Sequence, residues 1–161
     1  MKKAFALATL LFCLLSFHQS FAGGYPQGPA KKLTPGQLCA NPNSHRYPEG
    51  IAYCNRDVSP ALKRQIIANY DKSFGYNIEG MDRKNFKIDH YIPLCMGGSN
   101  DITNLWPQHV SVYTLTDSLE EALCEKMDLG RILQKDAVIL IKKAKNNLNL
   151  VAEIKLYVDH L

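Results

Sequence analysis

The chain has 161 residues, 46% of them apolar, and carries 19 Lys and Arg against 15 Asp and Glu, a formal net charge of +4. Those numbers suit one folded domain with a real hydrophobic core. They exclude a protein held on nucleic acid by overall charge, so any such contact has to come from a local patch.

Met1-Lys2-Lys3, the apolar run Ala4 to Phe17 and the small-x-small Ser20-Phe21-Ala22 before Gly23-Gly24 form the pattern of a secretory signal peptide over residues 1–22. The run is short for a membrane span, and no later stretch is long and apolar enough to cross. Cleavage after Ala22 takes away Lys2, Lys3 and Cys13. The remaining 139 residues then hold 17 basic and 15 acidic side chains, a net charge of about +2, and four cysteines. The expected product is exported to the periplasm or the medium, is a monomer, and has no membrane attachment.

Residues 23–57 read as an irregular leader with a disulfide loop, and residues 58–161 as the main domain. Gly23 to Pro35 is rich in Gly and Pro and predicts a flexible lead-in. Gln37 to Arg56 contains Pro42, Pro48, Cys39 and Cys54 and shows no periodicity. His45 within it reads as an exposed loop residue. An even number of cysteines in an oxidising compartment favours disulfides. Four cysteines allow three pairings. Proximity favours Cys39–Cys54, a short loop whose closure contributes about 3 kcal/mol in the chain-entropy picture. Topology favours Cys95–Cys124. Zinc held by all four is the alternative, but the sequence has no C-x-x-C knuckle.

Ser59-Pro60 predicts a helix start, with Ser59 at the N-cap and Pro60 at the first helical position. Leu62, Ile66, Ile67 and Tyr70 form its apolar stripe. Lys63 and Arg64 lie on the outer side, either as a solvated face or as a face that steers a phosphate backbone. Asp71 to Arg83 is a loop with Gly75 and Gly80. Its Tyr76 and the Arg83-Lys84 pair stand just before the next strand and could meet a substrate.

That strand opens the stretch F-K-I-D-H-Y-I-P-L-C-M-G-G-S-N-D-I-T-N-L-W-P-Q, Phe86 to Gln108. Phe86, Ile88, His90 and Ile92 share one strand face and Asp89 and Tyr91 the other. A site that uses both Asp89 and His90 therefore belongs at a strand end, where Pro93 breaks the ladder. Gly97 to Asp101 reads as a loop, and Asn104-Leu105-Trp106 as the return strand, with Trp106 a core anchor. The next predicted helix runs from Asp117 to Leu129. Thr116 or Asp117 caps it, Asp117 and Glu120 form a capping box, Leu119, Leu123 and Met127 face inward, and Gly130 stops it. Arg131 to Asn146 predicts another helix with Ile132, Leu133, Ala137, Leu140, Ile141 and Ala144 inward. Lys142, Lys143 and Lys145 near its end form the most basic patch, favourable at a helix C-terminus in its own right and able to touch phosphates. A short helix from Ala152 to Leu161 follows.

The Asp89-His90 pair, Pro93, Gly97-Gly98, Asn104 and Leu105 fall in the order of the HNH, or ββα-metal, nuclease core, which the stretch resembles. The longer string N-L-W-P-Q, with T-D-S-L-E-E-A-L-C beyond it, is similar to a secreted bacterial branch of that superfamily, over roughly Val58 to Ala144. The resemblance implies a small α+β fold, a ββα-metal core with flanking helices stapled by disulfides. It implies an exported metal-dependent endonuclease acting on phosphodiesters of DNA, with RNA as an alternative. His90 would be the general base, since imidazole is poised near neutral pH, and Asp89 one hard oxygen ligand. Asn104 would hold the Gly97–Asp101 loop and orient His90.

The family takes a further ligand, usually His or Asn, from the helix about nine residues after the Asn, and that position is Tyr113 here. Asp117, a turn beyond Tyr113, and His109, in the loop before the helix, are the substitutes. Oxygen ligation favours Mg²⁺ or Mn²⁺; a His109 ligand would admit Zn²⁺ or Ni²⁺. The Tyr113 departure equally suits a binding module that kept the scaffold without the chemistry. A Cys95–Cys124 bridge would tie the hairpin to the helix that packs on it.

Overall fold

A two-stranded antiparallel hairpin lies at the centre of the chain: β3, Phe86–His90, pairs with β4, Leu105–His109, in a register that runs from Phe86 opposite His109 to His90 opposite Leu105. The structure, a computed structural model, describes residues 24–161. The predicted signal segment 1–22 lies outside them. Before the hairpin come the short strands β1, Ser44–Arg46, and β2, Ile51–Tyr53, and the helix α1, Pro60–Phe74. After it come α2, Val110–Asp128, α3, Gln134–Asn146, and α4, Val151–Asp159. The fold is mixed helix and strand with two disulfides, Cys39–Cys54 and Cys95–Cys124, the pairing that proximity and topology favoured over zinc. Among the described residues no helix is long and apolar enough to cross a membrane.

Local sequence accounts for several boundaries. Ser59 Oγ accepts the Leu62 N–H at 3.2 Å, and Pro60 at the next position loses nothing by lacking a donor. At the end of α2 the Gly130 N–H donates to Met127 O and the Arg131 N–H to Lys126 O, a Schellman stop that uses the positive φ of Gly130. The loop between β3 and β4 depends on Gly98, where a Cβ would fall onto the Ile92 carbonyl oxygen.

Four expectations change. Residues 37–56 are not wholly irregular, since β1 and β2 form a hairpin inside the Cys39–Cys54 loop, with Tyr47 and Gly50 at positive φ in the turn. The lead-in is docked: Thr34 is buried, its hydroxyl donates to Leu105 O at 3.0 Å, and the Ala30 N–H donates to Tyr70 Oη. Helix α2 begins at Val110, so Thr116 and Asp117 are interior residues and His109 is the cap. Helix α3 begins at Gln134 and leaves Leu133 exposed.

Two apolar clusters carry the fold. One joins Ile66, Ile67 and Tyr70 of α1 to Phe86, Ile88, Leu105, Trp106 and Val112. Trp106 is fully buried there, as the sequence predicts. The other joins Leu119, Leu123 and Met127 of α2 to α3, α4 and Met96. Helix α2 belongs to both, with its first half on the hairpin and its second half on α3 and α4.

Candidate active site

Strand alternation sorts the hairpin residues. Lys87 and Asp89, with Gln108 and Trp106 opposite them, share one face, and Phe86, Ile88 and His90 share the other. Helix α2 covers the first face. Gln108 Nε2 donates to Thr116 Oγ1 at 3.0 Å, Lys87 Nζ reaches both Asp117 oxygens at 2.9 Å, and the same ammonium lies 4.6 Å from the centre of the Tyr113 ring. Because α2 starts early, Asp117 is two turns inside the helix and its carboxylate is free of the capping role. It projects toward Asp89 with Glu120, one turn on. Asp89, Asp117 and Glu120 each offer one oxygen, and the three lie within 4.8 Å of one another.

Two lysines enter this carboxylate layer. Lys87 Nζ is 3.2 Å from Asp89 Oδ2. Lys145, from the end of α3, is fully buried; its Nζ stands 2.7 Å from Glu120 Oε1 and donates to the His90 carbonyl at 2.6 Å. Lys145 is therefore not part of an exposed basic patch, as the sequence suggested, but an internal counter-ion. Burial works to raise the Asp89 carboxyl, but Lys145 and Lys87 outweigh it and hold it below the usual carboxylate range. Burial raises Glu120, with Asp89 and Asp117 adding to the effect and Lys145 opposing it. Burial would lower Lys87, yet Asp89 and Asp117 raise it on balance.

Three carboxylates against two ammonium groups leave one formal negative charge. Asp89 Oδ2 and Glu120 Oε1 face lysine ammonium groups at 3.2 and 2.7 Å, so charge already answers both, and Gln108 Oε1 is left as a buried acceptor without a donor. The donor set is all oxygen, the kind a hard divalent cation such as Mg²⁺ or Mn²⁺ takes, and Lys87 and Lys145 occupy it here. His109 does not join it. Its Nδ1 accepts the Ser111 N–H at the start of α2, and its ring stacks on Tyr25 with centroids 3.7 Å apart. It stands at the far end of the hairpin, opposite Phe86, so the Zn²⁺ or Ni²⁺ option that leaned on a His109 ligand loses its donor.

His90, 2% exposed, points away from Asp89. The break expected after the strand comes one residue too late to bring the two side chains together. Arg56 Nη1 lies 3.3 Å from Nδ1, and Asn100 Oδ1 lies 3.1 Å from Nε2. A guanidinium only donates, so Nδ1 is the acceptor and the ring proton is on Nε2. The Asn100 orientation agrees, since its Oδ1 also accepts the Asp57 N–H and its Nδ2 donates to Asn55 O. Burial pushes the imidazole down to about 4; the Asn100 contact opposes this and Arg56 adds to it. His90 is neutral at neutral pH.

Asn104 is fully buried. Its Nδ2 donates to the carbonyls of Ile92 at 3.0 Å and Ser99 at 2.9 Å, and its Oδ1 accepts the Ile92 N–H at 2.9 Å. The side chain thus closes the loop that delivers Asn100 to His90.

Sequence reasoning missed Arg56, Lys87, Asn100 and Lys145 as neighbours of the site, and gave Glu120 only a capping role. One signal was present: Lys145 continues the stripe Ala137–Ile141 at a spacing of four, which points it inward. No family model, curated protein or solved structure matches the chain.

Proposed function

We propose that the protein is an exported, metal-dependent endonuclease of the HNH type that hydrolyses phosphodiesters of DNA. The observation that supports it most is the meeting of Asp89, next in sequence to His90, with Asp117 and Glu120 in one partly buried carboxylate layer. The ordered match from Asp89-His90 through Gly97-Gly98 to N-L-W-P-Q is the independent ground. In this reading Asp89, Asp117 and Glu120 would hold a divalent cation, on the opposite face of the strand from His90, where it would supply positive charge for a phosphate. Lys87 and Lys145 neutralise most of the layer's charge, and Lys87 would have to leave Asp89 and Asp117 for a cation to enter. His90 is the base that takes a proton from the attacking water at Nδ1, once Arg56 has moved off that atom. Asn100 holds the opposite nitrogen, which fixes the tautomer. Asn104 fixes the loop that carries Asn100. Nucleic acid is the partner, with RNA as the alternative to DNA.

A second reading has its own support. Lys87 and Lys145 already neutralise most of the carboxylate charge, and Arg56 covers His90. A scaffold closed in this way suits a non-catalytic nucleic-acid-binding or envelope protein. Plasmid cleavage by the oxidised protein with Mg²⁺, Mn²⁺ or EDTA separates the two. The endonuclease loses activity in EDTA, loses about 10²- to 10⁴-fold in His90→Ala, and needs more metal for the same activity in Asp117→Asn. Binding without cleavage under any of these metals would sink the endonuclease reading.

A further inference from the structure

The segment Asn55 to Asp57 runs across His90 directly after Cys54. Each of its residues is fastened there. Asn55 O accepts from Asn100 Nδ2 at 2.7 Å, the Asp57 N–H donates to Asn100 Oδ1 at 3.1 Å, and Arg56 spans the gap between them to the imidazole. Arg56 as a whole remains exposed. A guanidinium has five N–H donors, and two are used, Nη1 on His90 Nδ1 at 3.3 Å and Nη2 on Ile88 O at 2.8 Å. Among the described residues no carboxylate stands within ion-pair distance of Arg56. An arginine with spare donors and no anion thus lies over a buried imidazole.

The bond from Arg56 to His90 joins a cation to a neutral acceptor, and it is long. A phosphodiester offers two anionic oxygens in the fork geometry of a guanidinium, a contact that is shorter and roughly twice as strong. Further positive charge lies close along the chain. Lys63, Arg64 and Arg83 line a cleft of about 400 Å³ beside Pro60, with Glu79 the one carboxylate in it. An anionic strand that reaches this cleft meets favourable potential at the start of α1, four residues beyond Arg56 in the chain.

We propose that Arg56 is the phosphate-binding residue of the His90 site, and that capture of a phosphodiester by its guanidinium uncovers His90 Nδ1. The substrate class rests on the endonuclease reading; the capture of a phosphodiester anion does not. The test is an NMR titration of the ¹⁵N-labelled, oxidised protein in EDTA, first with dimethyl phosphate and then with a short DNA duplex. The Arg56 side-chain N–H signals shift saturably with both probes. Arg56→Gln abolishes the accompanying saturable shift of the neighbouring Asn100 side-chain amide, and Arg56→Lys, which keeps the charge but not the fork, retains part of it. In the cleavage assay Arg56→Gln raises KM by about ten- to a hundredfold, as expected for one lost charge-assisted contact, and changes kcat less. Unmoved Arg56 signals with either probe, or a wild-type KM in Arg56→Gln, overturn the assignment and leave the endonuclease standing. Saturable shifts in EDTA without cleavage under any metal keep the assignment and overturn the endonuclease. Should Arg56→Gln not fold, the wild-type titration and Arg56→Lys decide the matter.

Discussion

The two faces of the β3–β4 hairpin solve the burial of polar groups in opposite ways. The Asp89 face partly buries charge and answers it with charge: three carboxylates and two lysines meet under one helix. The His90 face buries a single titratable ring, keeps it neutral, and closes it with a three-residue strap whose arginine remains exposed. The first arrangement is costly to disturb, because removing one ion strands another in low dielectric. The second can open at the cost of a hydrogen bond or two. One strand thus carries a rigid layer and a movable cover on its opposite sides.

Three perturbations test that contrast. Lys145→Ala leaves Glu120 buried without its counter-ion and should destabilise the protein by about 3–5 kcal/mol in urea unfolding. Arg56→Gln should cost about 1 kcal/mol or less. Lys145→Met combined with Glu120→Gln should recover much of the loss, since the stranded charge is then gone. Equal losses for Lys145→Ala and Arg56→Gln would erase the distinction between the faces.

Replacing Cys95 and Cys124 together by Ser removes a link across 29 residues. A loop of that length gives about 3–4 kcal/mol in the chain-entropy picture. The bridge ties the Leu94–Met96 turn to α2, which carries Asp117 and Glu120. The loss should therefore come with weaker Mn²⁺ binding at the carboxylate layer. A double variant with wild-type Mn²⁺ affinity would show that α2 is held by packing alone.

The neutral ring on the other face predicts a pH dependence of roughly 3 kcal/mol. His90 is pushed down to about 4 in the folded protein, while an unfolded histidine titrates near 6.5. Between those values the unfolded chain binds more protons. The stability that goes with a neutral His90 is complete above about pH 6.5 and is lost as pH falls toward 4. Glu120, raised by burial, works in the other direction over part of the same range. The difference between wild type and His90→Asn, followed by thermal unfolding from pH 4 to 7, isolates the histidine. A pH-independent difference would mean that the imidazole titrates alike in the folded and unfolded chain.

Legibility in the sequence followed the range of the interactions. Ser59-Pro60 and Gly130 were readable because a cap or a stop is set by neighbours in the chain. The separation of Asp89 from His90 was readable because a strand alternates. The start of α2 was not. His109 to Thr116 is rich in β-branched residues, which disfavour helix weakly, and burial of Val112 and Thr116 against the hairpin overrides that preference. The Asp117 role turned on this one boundary, since a carboxylate at the cap faces backbone N–H groups and two turns inside it faces Asp89. Lys145 lay hidden among Lys142 and Lys143, where composition suggests a solvated helix end. Arg56 left no trace, because its place over His90 is set by a loop folding back from a disulfide.

That disulfide decides what the strap is anchored to. The Cys39 N–H donates to Gly97 O, and the Ser99 N–H donates to Gln37 O, so the segment before Cys39 is laid on the loop that Asn104 closes. Cys54 is bonded to Cys39, and the strap begins one residue later. Through that bond the strap over His90 is moored to the same loop that presents Asn100 to the ring, so one covalent link joins the cover to the frame it covers.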